Sequence, residues 1–485
     1  MSGRPQNFLE PTMPSLSLYN TRTRRQEAFQ PRVPGQVGLY ACGPTVYHYA
    51  HIGNLRTYVF EDLLVRALRL DGLAVTHVCN ITDVGHLTSD GDSGDDKMEQ
   101  GARREGRTVW EVAAHYTAAF MQDLRRLAIV PATHWPKATD HIAEQLAMVQ
   151  ALLAKGNAYQ AEDGIYFDVS SFPRYADFAR KDLAGQEAGA RVAPTGGKRN
   201  HEDFALWKHS PKGQRRLMEW DSPWGPGFPG WHIECSAMSL KYLGEQFDIH
   251  CGGIDHIPVH HTNEIAQTEA LTGKAPWVNL WMHGEFLILD KAKMSKSSGE
   301  FLTLQSLIDK GYDALDYRFF CLGTHYRAPL TFAFEGLDGA RAGRLSLRKR
   351  LEPLQALPAP TAEAVKAAES RPLWAKFWAQ VADDLNAPRA LAVAWEAAKD
   401  DSLPAPEKAA LIAAMDRWLG LGLLTPDAAP AELDAECAEL LRRRADARAA
   451  KDFAASDRLR DALAAKGILV KDGKAGQQWE RPATR

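Results

Sequence analysis

Two hydrophobic periods alternate along residues 37–81. Residues 37–42 (VGLYAC) form a nearly continuous apolar run, as expected of a strand buried on both faces. Gly43-Pro44 ends it. After Asn54, the residues Phe60, Leu63, Leu64, Ala67 and Leu68 recur at helical spacing and predict a helix with one buried face, with Gly72 at its C-cap. Residues 74–81 (AVTHVCNI) supply a second strand, and the intervening helix makes parallel pairing the expectation. A sheet built this way opens its ligand crevice at the carboxyl ends of its strands, where Cys42 and Thr82 both fall.

Further along, Thr108 to Glu111 has the capping-box pattern, and Val112, Tyr116, Phe120 and Leu124 follow at helical spacing. Residues 141–155 predict another amphipathic helix ending at Gly156. The Gly/Pro-rich stretch 159–229, with a short β-like piece at 165–169, reads as an insertion. A strand signal at 247–251 runs into Gly252-Gly253 and a helix over about 260–271, so the α/β domain is split around that insertion. Beyond Leu302 the chain turns helical. Breaks at Leu357-Pro358-Ala359-Pro360, Pro404-Ala405-Pro406 and 425–430 (TPDAAP) divide the helical part.

A chain of 485 residues suggests about three domains. With 45% hydrophobic and 25% charged residues, global disorder is excluded. The net charge of −3 demands neither nucleic acid nor membrane, yet residues 441–485 carry 12 Lys/Arg against 6 Asp/Glu. Arg442, Arg443, Arg444 and Arg448 concentrate on one predicted helix. This is either a solvated face or a nucleic-acid-binding end, since phosphate contacts need clustered charge. There is no apolar run of about 18 residues and no apolar signal core at the start. The six cysteines are widely spaced without a CxxC pair. The expectation is a cytoplasmic protein without membrane attachment.

Three motifs could carry chemistry. His51-Ile52-Gly53-Asn54 stands at a loop-to-helix junction, where free N–H groups and the helix dipole suit phosphate. Gly53 lets the backbone approach, and His51 can donate to a phosphate oxygen. Lys293-Met294-Ser295-Lys296-Ser297 follows the apolar run 286–289 and offers a cationic clamp for developing phosphate charge. His260 and Glu264 are four apart, on one helical face, and with thiolates such as Cys42 and Cys235 would suit zinc. Cys251, His256 and His261 are rival ligands, and an ordinary His/Glu pair gives the same spacing. The acidic run 90–96 imitates a calcium loop, but Asp95 and Gly101 occupy the positions that require Gly and Glu, so it reads as a solvated loop.

Together these residues resemble the class I aminoacyl-tRNA synthetases, and among them closely the cysteinyl-tRNA synthetases. His51–Asn54 resembles the HIGH motif, with Asn54 in place of its last His, and Lys293–Ser297 is identical to KMSKS. The texts 40–47 (YACGPTVY), 80–83 (NITD), 230–238 (GWHIECSAM) and 260–267 (HHTNEIAQ) resemble family signatures, and the likeness extends from about Leu16 to Trp479. Val259, Thr262 and the long acidic loop 85–98 depart from the family pattern.

The resemblance implies an α/β fold: a split Rossmann-type parallel-sheet catalytic domain with a connective insertion, then helical tRNA-binding domains. Its expected divisions are 16–140, the insertion 141–229, the second catalytic half 230–300, a stem-contact region 301–356, a helical bundle 357–430 and an anticodon-binding module 431–485. It further implies one zinc held by Cys42, Cys235, His260 and Glu264. His51, Asn54, Lys293 and Lys296 would act on ATP and Mg2+, with Gly53 and Asp255 at the nucleotide. Thr82, Trp231 and Asp255 would line the cysteine pocket. The expected activity is formation of cysteinyl-adenylate from L-cysteine and ATP, then transfer to tRNA(Cys), by a monomer. The alternative is a cysteine ligase of the mycothiol pathway acting on an amino sugar, which lacks the anticodon-binding end. A non-catalytic tRNA-binding relative would need a broken motif.

Overall fold

The computed structural model describes residues 14–86, 96–180, 197–210, 216–289, 301–426, 434–466, 468–473 and 476–480. At its centre lie four parallel strands: β1 (Gln36–Ala41), β2 (Ala74–Cys79), β3 (Phe247–Gly253) and β4 (Val278–Gly284), in the order β4-β3-β1-β2. Register pairs Ala41 with Cys79 on one side and with Cys251 on the other. The predicted helix is α1 (Ile52–Leu70), capped at Asp71, with Gly72 following at φ +85°. The second strand stops at Cys79, two residues short of the expected end, because Asn80 turns its side chain to other work.

From β1 the chain crosses to β2 on one side, whereas β3 pairs on the other. The carboxyl ends of β1 and β3 therefore flank a topological switch point, the place where such sheets bind ligands. The insertion contributes a four-stranded antiparallel sheet of Ala158–Gln160, Gly164–Phe167, Phe204–His209 and Gly227–Pro229. It is not a separate body. Ile165, Phe167, Leu206 and Trp207 share one core with Tyr40, Ile233, Phe247 and Trp277. Two further helices, α2 (Trp231–Leu243) and α3 (His260–Thr272), lie in this core. In α2, polar Glu234, Ser236 and Ser239 are buried along with Ile233, Cys235 and Met238, so no amphipathic pattern marks it in the sequence.

By contacts, the chain forms two compact units: residues 1–350 with 360–423, and 351–359 with 424–485. The helices expected as a separate bundle over 357–430 thus join the catalytic unit almost entirely. The reason is a buried ion cluster. Arg318, fully buried, reaches Asp62 of α1 at 2.6 Å, the Leu419 carbonyl at 2.7 Å and the Leu127 carbonyl at 3.0 Å, and Arg66 contacts the same carboxylate at 2.7 Å. Trp418 adds a bond from Nε1 to the Leu63 carbonyl at 2.9 Å.

In the second unit, Ala435–Ala449 and Phe453–Ala465 form a helix pair, followed by the hairpin Leu469–Gly473/Gly476–Glu480, over a small core of Cys437, Leu441, Leu463 and Ile468. Arg444 departs from the expected basic face. It is 1% exposed and donates to Gln477 Oε1 at 2.9 Å, while Gln477 holds the Leu441 carbonyl. Arg442 is engaged by Glu439 and Asp446. Arg443 and Arg448 remain exposed.

His77 on β2 is buried, and neither ring nitrogen has a hydrogen-bond partner among the described residues. Burial, aided by Arg69, pushes its pKa down to about 4. The unfolded chain therefore binds this proton first as pH falls below about 6.5, and stability drains from there toward pH 4. Between pH 7 and pH 5 the loss from this residue is about 2 kcal/mol. His77→Leu is expected to show a shallower fall in urea midpoint over that range. Parallel curves for variant and parent would refute the assignment.

Candidate functional site

The loops leaving β1 and β2 are pinned to each other. Gly43 N–H donates to Asn80 Oδ1 at 2.8 Å, Thr82 N–H to the Pro44 carbonyl at 3.0 Å, and Val46 N–H to the Thr82 carbonyl at 3.1 Å. A Cβ on Gly43 would stand 1.5 Å from the Asn80 carbonyl oxygen, so only glycine permits this approach. Asn80 Nδ2 also donates to Thr82 Oγ1 at 3.0 Å, and Thr82 donates to buried Glu234 at 3.3 Å. Asn80 was legible as part of a strand end but not as a clamp.

Above these loops a cleft of about 420 Å³ is lined by Cys42, His51, Asn54, Thr82, Trp231, Cys235, Asp255 and His260. Eight residues singled out from four distant stretches of sequence thus meet in one cavity. Gly53 lies just behind its wall, where an added Cβ would come within 2.9 Å of the His51 ring. Lys293 and Lys296 lie outside the described residues, as do residues 87–95 of the acidic loop. The described flanks of residues 290–300, the stretch that carries the two lysines, abut α1. Ile52 N–H bonds the Leu302 carbonyl at 2.8 Å, and Leu287 lies 3.8 Å from the Gly53 Cβ position. At the end of the acidic run, Asp96 serves as an N-cap, accepting from the Met98 and Glu99 amides of the helix Lys97–Glu105.

His51 and Asn54 form a reciprocal capping box on α1. His51 Nδ1 accepts the Asn54 N–H at 3.0 Å, and Asn54 Oδ1 accepts the His51 N–H at 3.2 Å. With Nδ1 committed as acceptor, the ring proton resides on Nε2. Burial lowers the pKa of His51 and so favours the neutral ring, an effect partly offset by the Asp255 carboxylate. Asn54, expected to act on ATP, holds the cap through its oxygen, a bond that does not use its Nδ2 donors.

The suspected metal ligands converge from three elements. Cys42 directly follows β1, Cys235 lies in the first turns of α2, and His260 opens α3. Their sulfur and nitrogen atoms lie within 4.8 Å of one another. Glu264, a turn beyond His260, groups instead with Cys42, His250 and His261, a second set of the same compactness. His260 Nε2 still stands 3.7 Å from Glu264 Oε1, and His250 Nε2 stands 3.1 Å from Oε2. Glu264 is fully buried, and neither oxygen has a hydrogen-bond partner among the described residues. Burial, reinforced by Cys235, holds the Cys42 thiol well above its ordinary pKa, and burial keeps His260 and His261 neutral. A buried carboxylate faced by histidine rings, beside two thiols, is a donor set that fits a divalent cation.

Of the rival ligands, His261 belongs to the second set, with Nε2 3.3 Å from Cys42 Sγ. Cys251 and His256 belong to neither. His250 was not anticipated. Its signal was its alternation with Ile249 and Cys251 along β3, which carries meaning only once the sheet is assembled.

The family model for the class I (C) tRNA synthetase catalytic domain matches residues 28–342, and that for the cysteinyl-tRNA ligase anticodon binding domain matches residues 431–479. Cysteine–tRNA ligase 1 of Burkholderia lata is 53% identical, covering 96% of each chain. Cysteine–tRNA ligase of Treponema denticola is 45% identical, covering 96% of this chain and all of that one. Among solved structures, the ternary complex of Agrobacterium radiobacter K84 agnB2 LeuRS with tRNA and LeuAMS superposes at TM-score 0.55 and 12% identity, covering 82% of this chain and 85% of that one. Mycobacterium tuberculosis methionyl-tRNA synthetase bound by methionyl-adenylate gives 0.53 and 16%, covering 87% and 96%. These two speak to the fold alone, which is the expected α/β class I fold with a helical C-terminal region. With catalytic core and C-terminal module both matched in order, the chain belongs to the cysteinyl-tRNA synthetase family of class I enzymes, the cysteine–tRNA ligases.

Proposed function

We propose that the chain activates L-cysteine with ATP and Mg2+ and transfers it to the 3′ end of tRNA(Cys). The observation that carries this reading is the meeting, in one cleft, of a phosphate-competent helix cap (His51, Asn54) and a buried thiol–imidazole cluster (Cys42, Cys235, His260). The match to an anticodon-binding domain favours tRNA over an amino-sugar acceptor.

In the first step a carboxylate oxygen of cysteine attacks the α-phosphorus, and pyrophosphate leaves. The neutral His51 donates from Nε2 to a phosphate oxygen, and the positive end of the α1 dipole, whose first residues line the cleft, adds its field. Lys293 and Lys296 neutralise charge on the departing pyrophosphate, a role resting on the resemblance alone. Asp255, its side chain 60% exposed in the cleft, accepts from the substrate ammonium or the ribose hydroxyls. Trp231 walls the cysteine pocket, with Thr82 beside it. In the second step the terminal adenosine hydroxyl attacks the activated carbonyl and AMP leaves. No residue need act as a covalent nucleophile, since the work is orientation and charge stabilisation.

Cys42, Cys235 and His260 would hold one zinc, with Glu264 as the fourth ligand after a small reorientation of its carboxylate. When bound, zinc supplies a strong preference for sulfur over oxygen, so cysteine gains an interaction that serine lacks. Loss of such an interaction rejects an analogue by factors on the order of 10⁴. Among the described residues no helix is long and apolar enough to cross a membrane. All six cysteines are free and buried. The free thiols support work in a reducing compartment, the cytoplasm, and the monomer rests on the resemblance alone.

Three outcomes test this. Purified protein given tRNA, labelled cysteine, ATP and Mg2+ is expected to charge tRNA, and to lose charging on zinc chelation. Cysteine-dependent ATP–pyrophosphate exchange without charging would mean another acceptor. Metal analysis of Cys235→Ser is expected to fall from about one zinc per chain to a small fraction, with cysteine activation lost. Full zinc retention would overturn the ligand set. Gly53→Ala, which presses on the His51 ring, is expected to slow exchange by about 10²-fold while leaving zinc content unchanged. An unaltered rate would remove His51 from the phosphate site.

A further inference from the structure

We propose that the rim of the cleft formed by Tyr49, His115 and the Arg104–Arg107 turn is a stacking platform for the unpaired 3′ end of the tRNA, an inference that rests on the acceptor proposed above. The chain between β1 and α1 presents three successive rings, Tyr47, His48 and Tyr49. The helix Val109–Arg126 meets them with His115 and Tyr116. Tyr49 packs edge-on against Tyr116 (centroids 4.9 Å, 88°) and His115 (5.7 Å, 73°), and its hydroxyl lies 3.0 Å from His115 Nε2. His48 stacks on Tyr116 at 5.9 Å and meets Phe301 at 4.4 Å. These contacts fix the rings, yet Tyr49 and Phe301 remain 39% and 48% exposed. Rigid, exposed aromatic rings at the mouth of a polar cleft have no role in the core.

The charge beside them is positive. Residues 97–107 carry Lys97, Arg103, Arg104 and Arg107 against Glu99 and Glu105. Lys97 lines the cleft, 5.7 Å over the Trp231 ring. Two turns later, Arg104 reaches the Tyr47 carbonyl at 3.0 Å and the Tyr116 hydroxyl at 3.3 Å. Glu105 engages Tyr116, Arg104 and Arg107, leaving the side chains of both arginines nearly half exposed. Of the two acidic groups, Glu99 is occupied by the Leu217 amide. Aromatic rings interleaved with cations are what a single strand of nucleic acid requires, because every base has a π-face and every residue a phosphate. The reaction supplies the occupant: the terminal ribose must reach the carbonyl held near Thr82 and Trp231, and Tyr49, Lys97 and Phe301 line that same cleft.

The test compares two half-reactions in the full-length protein. Tyr49→Leu is expected to leave cysteine-dependent ATP–pyrophosphate exchange within twofold of the parent. Its kcat/KM for tRNA in charging should fall about 5- to 100-fold, the range of one lost base stack. Tyr49→Phe, which keeps the ring, should stay within threefold on both. Arg107→Gln should raise KM for tRNA and reduce the slope of log KM against log salt by about 0.7, as for one lost phosphate contact to a single strand. Equal losses in exchange and charging for Tyr49→Leu would assign the ring to ATP and overturn the proposal. So would unchanged charging, or a Tyr49→Phe variant as impaired as Tyr49→Leu. If the parent itself exchanged pyrophosphate but never charged tRNA, the acceptor reading would fall first, and this proposal with it.

Discussion

The contact on which the site depends is that of Gly43 with Asn80. Two loops from adjacent parallel strands must touch backbone to backbone so that Cys42 and Thr82 face one cleft. A side chain at residue 43 would push them apart. Asn80 converts that proximity into order, because one amide holds Gly43 through its oxygen and Thr82 through its nitrogen. Thr82 in turn bonds Glu234, one residue before Cys235. A single polar chain therefore links the ends of β1 and β2 to the helix carrying the second thiol. Buried networks of this kind fix one geometry, at the cost of being intolerant of a missing member.

A second constraint acts on α1. Its first turn forms the capping box of His51 and Asn54, while its middle is clasped through Asp62 by Arg318 and Arg66. Arg318 spends its remaining donors on carbonyls at the ends of two other helical segments. A lone buried carboxylate would be costly, so these elements hold together or come apart as a set. The helix that presents the phosphate-binding turn is in this way braced against the helical region that follows the catalytic sheet. This explains why those helices share a compact unit with it.

Chemically, the cleft divides the labour by depth. At the mouth lie rings and cations, at mid-depth a neutral imidazole with a fixed proton and a helix terminus, and at the floor thiols, imidazoles and an unsatisfied carboxylate. Each layer suits one part of the reaction: a nucleic-acid strand, a polyphosphate and a sulfur-bearing side chain. Polar groups buried without partners at the floor are destabilising in isolation, which is the expected signature of a site organised around a ligand.

Much of this was written in the linear sequence. The strand–helix–strand unit announced itself through its hydrophobic periods, because β1 is buried on both faces and α1 on one. His51–Asn54, Lys293–Ser297 and the four suspected zinc ligands stood out by residue type and by resemblance. What the sequence could not disclose followed from burial on all sides or from pairing across long separations. The helix Trp231–Leu243 has no amphipathic stripe, since it lies between two sheets. His250 approaches Glu264 only when β3 is laid beside α3. Arg444, one of a basic run, turned inward because Gln477 offered it a partner across a hairpin. Local pattern determined the elements and the chemistry at hand, while tertiary structure decided which charges face solvent, which donors meet and where the cleft opens. Those outcomes depend on the neighbours each side chain finds, not on its place in the chain.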